Sequence, residues 1–116
     1  MINIDVLREI ALSFPLTTEE PHFEKTSFRV GKKIFATYDL KKDQACIKLS
    51  EKDQYVFTEF DKTIIFSVPN KWGKQGWTFV NLKKVSKKMF IEVLTMSYRE
   101  AAPEKNSDLL PSGRKE

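Results

Sequence analysis

The stretch TSFRVGKKIFATYDLKKDQACIKLS, residues 26–50, decides how this chain folds. Thr26, Phe28 and Val30 alternate with Ser27 and Arg29 before Gly31-Lys32. Ile34, Ala36, Tyr38 and Leu40 then alternate with Phe35, Thr37 and Asp39, and after Lys41–Gln44 a third run covers Ala45–Leu49. Period two places successive side chains on opposite faces of a strand. Turns this short join antiparallel neighbours, so the stretch predicts a three-stranded meander.

Period 3.6 rules upstream. Asn3 can cap a helix on which Val6, Leu7, Ile10, Ala11 and Phe14 form one apolar stripe, and Pro15 has no N–H with which to continue it. Residues 16–23, with Thr17, Thr18, Glu19, Glu20 and Pro21, carry loop chemistry. Downstream, Ser50 opens a short helix that fades near Phe60, and TIIFSV (63–68) reads as a strand ended by Pro69. Residues 69–76 are expected as a loop, with Trp72 plugging the edge of the core, and 77–82 as a strand. Ser86 caps a last helix to about Ala101, with Phe90, Val93, Leu94, Ser97, Tyr98 and Ala101 inward. The expected order is α-β-β-β-α-β-β-α: a two-layer α+β domain over residues 1–103, with an antiparallel sheet of about five strands and helices on one face. Residues 104–116 are expected as a mobile tail.

Parity sorts the sheet into two faces. Phe28, Val30, Ile34, Ala36, Tyr38, Ile47, Leu49, Ile64, Phe66, Val80 and Leu82 fall on one, which packs on the helices. Arg29, Phe35, Thr37, Cys46, Lys48, Ile65, Ser67, Trp77, Phe79 and Asn81 fall on the other, mixing aromatics with cations. Aromatic planes stack on bases or rings, and cations meet anions, so this second face is either a contact surface for a ligand or a face covered by the tail or a second subunit.

In NKWGKQGWTFVNL, residues 70–82, two glycines suit a tight turn with positive φ. A G-x-x-G clamp on nucleic acid joins two helices, whereas a strand follows here, and the phosphate-loop pattern G-x-x-x-x-G-K-[ST] is absent. Residues 70–90 hold six lysines and no acid, within a chain of net charge +4. Lysine is a point charge without a bidentate fork, so such a region grips phosphates more than it reads bases. The single histidine, His22, and single cysteine, Cys46, leave no zinc set, and Cys46 sits mid-strand with no base near it in sequence, so no Cys/His constellation can be argued. One thiol fits a reducing cytosol, no apolar run approaches a membrane span, and the acidic N-terminus does not resemble a secretory signal.

EEPHFEKTSFRVGKKIFATYD (19–39), CIKLS (46–50), VPNKWGKQGWTFVNL (68–82) and SYREAAP (97–103), in this order, resemble the MmcQ/YjbR family of small bacterial proteins. The resemblance covers most of residues 1–103. It implies an α+β fold like type III secretion chaperones and the CyaY-like frataxins. A likeness to double-wing domains underlies the family's DNA-binding label, which is fold analogy. The family brings no catalytic residues; His22, Lys33, Lys48 and Trp77 stand at matching positions. Frataxin-like iron binding would need an acidic ridge, and the first helix has only Asp5 and Glu9.

Two functions follow as expectations. The first is a cytoplasmic, non-enzymatic DNA-binding protein, with phosphate contacts from Lys32, Lys33, Lys71, Lys74, Lys83 and Lys84, and stacking area from Trp77, Phe35 and Phe79. The alternative is a small-molecule or peptide-binding module with an anion pocket around His22, Arg29, Lys48 and Trp77. Neither calls for a cofactor, a metal or a membrane, and both monomer and homodimer stay open.

Overall fold

The computed structural model describes residues 2–103; the tail expected over 104–116 lies outside the described residues. The elements run α1 (Ile4–Ser13), β1 (Thr17–His22), β2 (Lys25–Val30), β3 (Lys33–Asp39), β4 (Gln44–Lys48), α2 (Glu51–Phe60), β5 (Ile65–Ser67), α3 (Lys71–Lys74), β6 (Trp77–Asn81) and α4 (Lys87–Ala101). One sheet in the order β1-β2-β3-β4-β6-β5 is antiparallel throughout. The expected α+β class, the meander and the helix-backed sheet are all present. No described helix is long and apolar enough to cross a membrane.

The helix starts follow from side-chain caps. Asn3 Oδ1 accepts the Val6 N–H at 2.9 Å, Ser50 Oγ that of Asp53 at 3.1 Å and Ser86 Oγ that of Met89 at 3.1 Å. The six residues expected inward on α4 are all buried. Phe14 stacks on Tyr98 at 4.9 Å between ring centres, and Phe35 meets both edge-on. The Tyr98 hydroxyl donates to the Pro15 carbonyl at 2.7 Å, tying α4 to the end of α1.

Two elements differ from expectation. Residues 17–22 form β1, a sixth strand at the sheet edge, where the missing N–H of Pro21 and the charges of Glu19 and Glu20 are tolerated. His22 therefore ends a strand instead of sitting in a loop. Residues 71–74 make one helical turn, α3, begun by Asn70 at φ +74° with its side chain on the Trp72 N–H.

The parity sorting fails at two places, each for a local reason. Phe28 pairs with Ala36, but Arg29 pairs with Ile34, so Phe35 is an extra residue on β3. This bulge turns Phe35 and Ala36 both toward the helices, fully buried, and Ile34 to the opposite face. In β5, Asp61 closes a turn by accepting from the N–H and hydroxyl of Thr63, and its carbonyl accepts from Ile64 and Ile65. The strand starts only at Ile65, which pairs with Val80 in the core, while Phe66 pairs with Phe79 on the open face. Ser67, opposite buried Thr78, leaves the open face as well.

The bulge has a dedicated partner. The regular β3–β4 ladder stops at Ala36–Ile47. Beyond it the Ser97 hydroxyl of α4 donates to the Phe35 carbonyl at 2.6 Å and accepts the Lys48 N–H at 3.1 Å. One buried serine thus satisfies the two backbone groups that the bulge separates.

Candidate functional site

Helices α1, α2 and α4 cover one face of the sheet, and the other carries a cleft of about 480 Å³. Ile34 and Thr37 of β3, Cys46 of β4 and Phe79 of β6 form its floor. Trp72 of α3, Trp77 of β6 and Val68 bound one side, and His22 and Lys25 of the β1–β2 hairpin the other. Register explains the grouping: Thr37 pairs with Cys46, Cys46 with Phe79, and His22 with Lys25. Trp72 does not plug the core; it stays 50% exposed beside the cleft.

The glycines of WGKQGW seat this wall. A Cβ at Gly73 would collide with the Val68 carbonyl, and one at Gly76 with that of Leu49. Gly76, at φ +106°, also accepts the Leu49 N–H at 2.9 Å. The expected positive φ thus holds at Gly76, while Gly73 is required by close approach. Gln54 of α2 donates to the carbonyls of Gly73 and Trp77, at 2.9 and 3.2 Å, and so locks α3 to β6.

Of the residues expected around an anion pocket, His22 and Trp77 line the cleft. Lys48 pairs with Trp77 across β4–β6 but runs along Gly76, beside the cleft. Arg29 folds back to donate to Ser27 Oγ at 3.0 Å, and Ser27 Oγ donates to the Glu20 carbonyl at 2.8 Å. Lys25 and Val68 join the site without having been singled out, and so do Ile34, expected on the helix-backed face, and Trp72, expected at the edge of the core. The signal for Lys25 is its place three residues after His22, across the two-residue turn of a hairpin. The turn Phe23-Glu24 lacks the Asn or Gly that marks such hairpins, yet Phe23 adopts φ +60°.

Burial pushes the Cys46 thiol up to about 11, while the charge of Lys25 pulls it the other way. The thiol is therefore protonated and poorly nucleophilic near neutral pH, and it serves as a small apolar floor group.

The lysines divide between the two ends of the sheet. Lys32 and Lys33 at the β2–β3 turn, Lys71 and Lys74 in α3, and Lys48 share the end at which β6 begins. Lys83 and Lys84 follow β6 at the opposite end, where Lys83 lies 3.8 Å from Asp43. Phe35, expected as stacking area, is in the core.

Fold and cleft together define a small α+β domain with one helix-backed sheet face and one open, aromatic face. The chain belongs to the YjbR family, whose model matches residues 12–100. A similar solved structure is the crystal structure of the Deinococcus radiodurans protein DR2400, described as a DUF419 domain. It is 20% identical, aligns over 100% of this chain and 97% of that one, and superposes with a TM-score of 0.79, a likeness of fold. No curated protein matches the chain.

Proposed function

We propose that the protein is a non-enzymatic DNA-binding domain that holds phosphates with the lysines at one end of its sheet. The observation that carries this reading is the grouping of Lys32, Lys33, Lys71 and Lys74. All four are exposed, and among the described residues none lies within ion-pair distance of an acid. At the other end, Lys41 and Lys83 each have a carboxylate within 4 Å. From β3 to β5 is three strand spacings, about 14 Å, a length that spans roughly four phosphates of one DNA strand.

Four phosphate contacts give a slope of log affinity on log salt of about −3.6, so binding falls roughly 100-fold between 50 and 200 mM salt. Changing Lys71 and Lys74 together to Glu should abolish binding at moderate salt, read by fluorescence anisotropy on labelled duplex and single-stranded DNA. A flat salt titration, or no binding at low salt, would sink the reading.

A further inference from the structure

The cleft poses a problem that the lysines at the sheet end do not answer. Trp77 and Phe79 expose ring surface on a face that no described helix covers, with Ile34 and Val68 beside them. Apolar surface gathered in a concavity, instead of scattered singly, is the usual mark of a binding site, and about 480 Å³ lies within the roughly 300–1,000 Å³ of small-molecule pockets.

The polar groups narrow the class of ligand. Lys25 and His22 are cross-strand neighbours on one side, and no carboxylate lines the cleft. Among the described residues Lys25 makes no ion pair, so its ammonium is available. A cationic ligand would meet Lys25 without a counter-charge, and a metal ion would find one imidazole and a protonated thiol. A wholly apolar ligand would leave the lysine unused. Cys46 is half-buried in the floor, and the charge of Lys25 acts on its thiol against the burial that raises it.

We propose that this cleft binds a small molecule that joins one flat ring system to one anionic group. The ring lies against Trp77 and Phe79, with Trp72 at its edge, and the anion is held by Lys25 and His22. Ring-on-ring contact supplies affinity, and the ammonium supplies orientation and the preference for an anion. The site uses neither Lys71 nor Lys74, so it stands or falls apart from DNA binding.

Both tryptophans of the chain border the cleft, so the two indole N–H signals of a nitrogen-15 NMR spectrum report on it directly. The probes are indole-3-acetate, phenyl phosphate and the neutral indole-3-acetamide. Saturable shifts of both indole signals are expected with at least one anion, and about tenfold weaker binding with the amide. Whichever anion binds more tightly identifies the headgroup as carboxylate or phosphate. Lys25→Gln should weaken the anion about tenfold and leave the amide unchanged, while the Lys71→Glu/Lys74→Glu pair should leave both unchanged. The proposal is overturned by an absence of saturable shifts up to about 10 mM, a very weak limit. Equal affinity for acid and amide, or indifference to Lys25→Gln, would overturn it too.

Discussion

Phe35 and Phe79 are phenylalanines within strands of one sheet, and the alternation of the sequence puts them on the same face. In the folded protein Phe35 is fully buried against Phe14 and Tyr98, whereas Phe79 touches Phe66 and borders an open cleft. The helix-backed face is saturated: its apolar side chains interlock, and its polar members, Ser97 and Thr78, are hydrogen-bonded. The open face keeps its rings half-buried around a cleft. Close packing and partial exposure thus fall on opposite sides of one layer, and a single bulge on β3 puts Phe35 on the packed side.

Truncation gives the largest contrast. Phe35→Ala should cost about 4 kcal/mol, because a fully packed ring leaves a cavity. Phe79→Ala should cost about 2 kcal/mol, less than Phe35→Ala, since its ring is half-buried at the edge of the cleft. Urea unfolding of the two variants checks this, and a reversed order would mean that the bulge is absent. Ser97→Ala comes next, at about 2 kcal/mol: it strands the Phe35 carbonyl and the Lys48 N–H in the interior. A neutral outcome there would show that those two groups find each other without the hydroxyl.

The hairpin beside the cleft predicts a change of opposite sign. Phe23 is 94% exposed in the left-handed region at φ +60°. Asn tolerates that backbone far better than a bulky ring, so Phe23→Asn should stabilise the fold by about 1 kcal/mol, visible as a higher Tm. A lowered Tm would show that the edge contact of its ring with His22, at 4.9 Å between ring centres, outweighs the backbone strain.

The smallest effect sits at the edge of the helix-backed side. Arg8 of α1 donates to Glu19 of β1 at 2.6 and 3.0 Å. These hydrogen bonds from Arg8 hold the Glu19 carboxyl below its ordinary value, with a further hydrogen bond from Thr26. A carboxyl lowered in the folded state adds stability above its unfolded value, about 4.3, and loses it as pH falls through the lowered folded value. Glu19→Gln should therefore be less stable than the parent at pH 7, with the gap closing toward pH 3. A gap that persists in acid would mean that the pair contributes through packing.

Much of the architecture was legible because it depends on neighbours in the chain. Asn3, Ser50 and Ser86 cap helices by bonding N–H groups three residues away, and the inner face of α4 follows from its 3.6 period. Edge strand β1 was hidden by Pro21 and the two glutamates, which an edge position tolerates and an isolated reading takes for a loop. The cleft was half legible: Trp77, Phe79, Cys46 and Thr37 follow from parity, but Lys25 and Trp72 needed β1 and α3 to be seen first. The grouping of the lysines was not legible: Lys83 and Lys84 follow Lys71 and Lys74 in sequence but sit at the far end of β6.

Taken alone, the sequence determined the three longer helices, the meander and the excess of lysine over acid in residues 70–90, because these are properties of short windows and of composition. Only the tertiary structure decided that Phe35 is core and Ile34 is cleft, and which lysines share an end of the sheet. Strand phase is reset by a bulge or a turn that long-range pairing stabilises, and no local period records where that reset occurs.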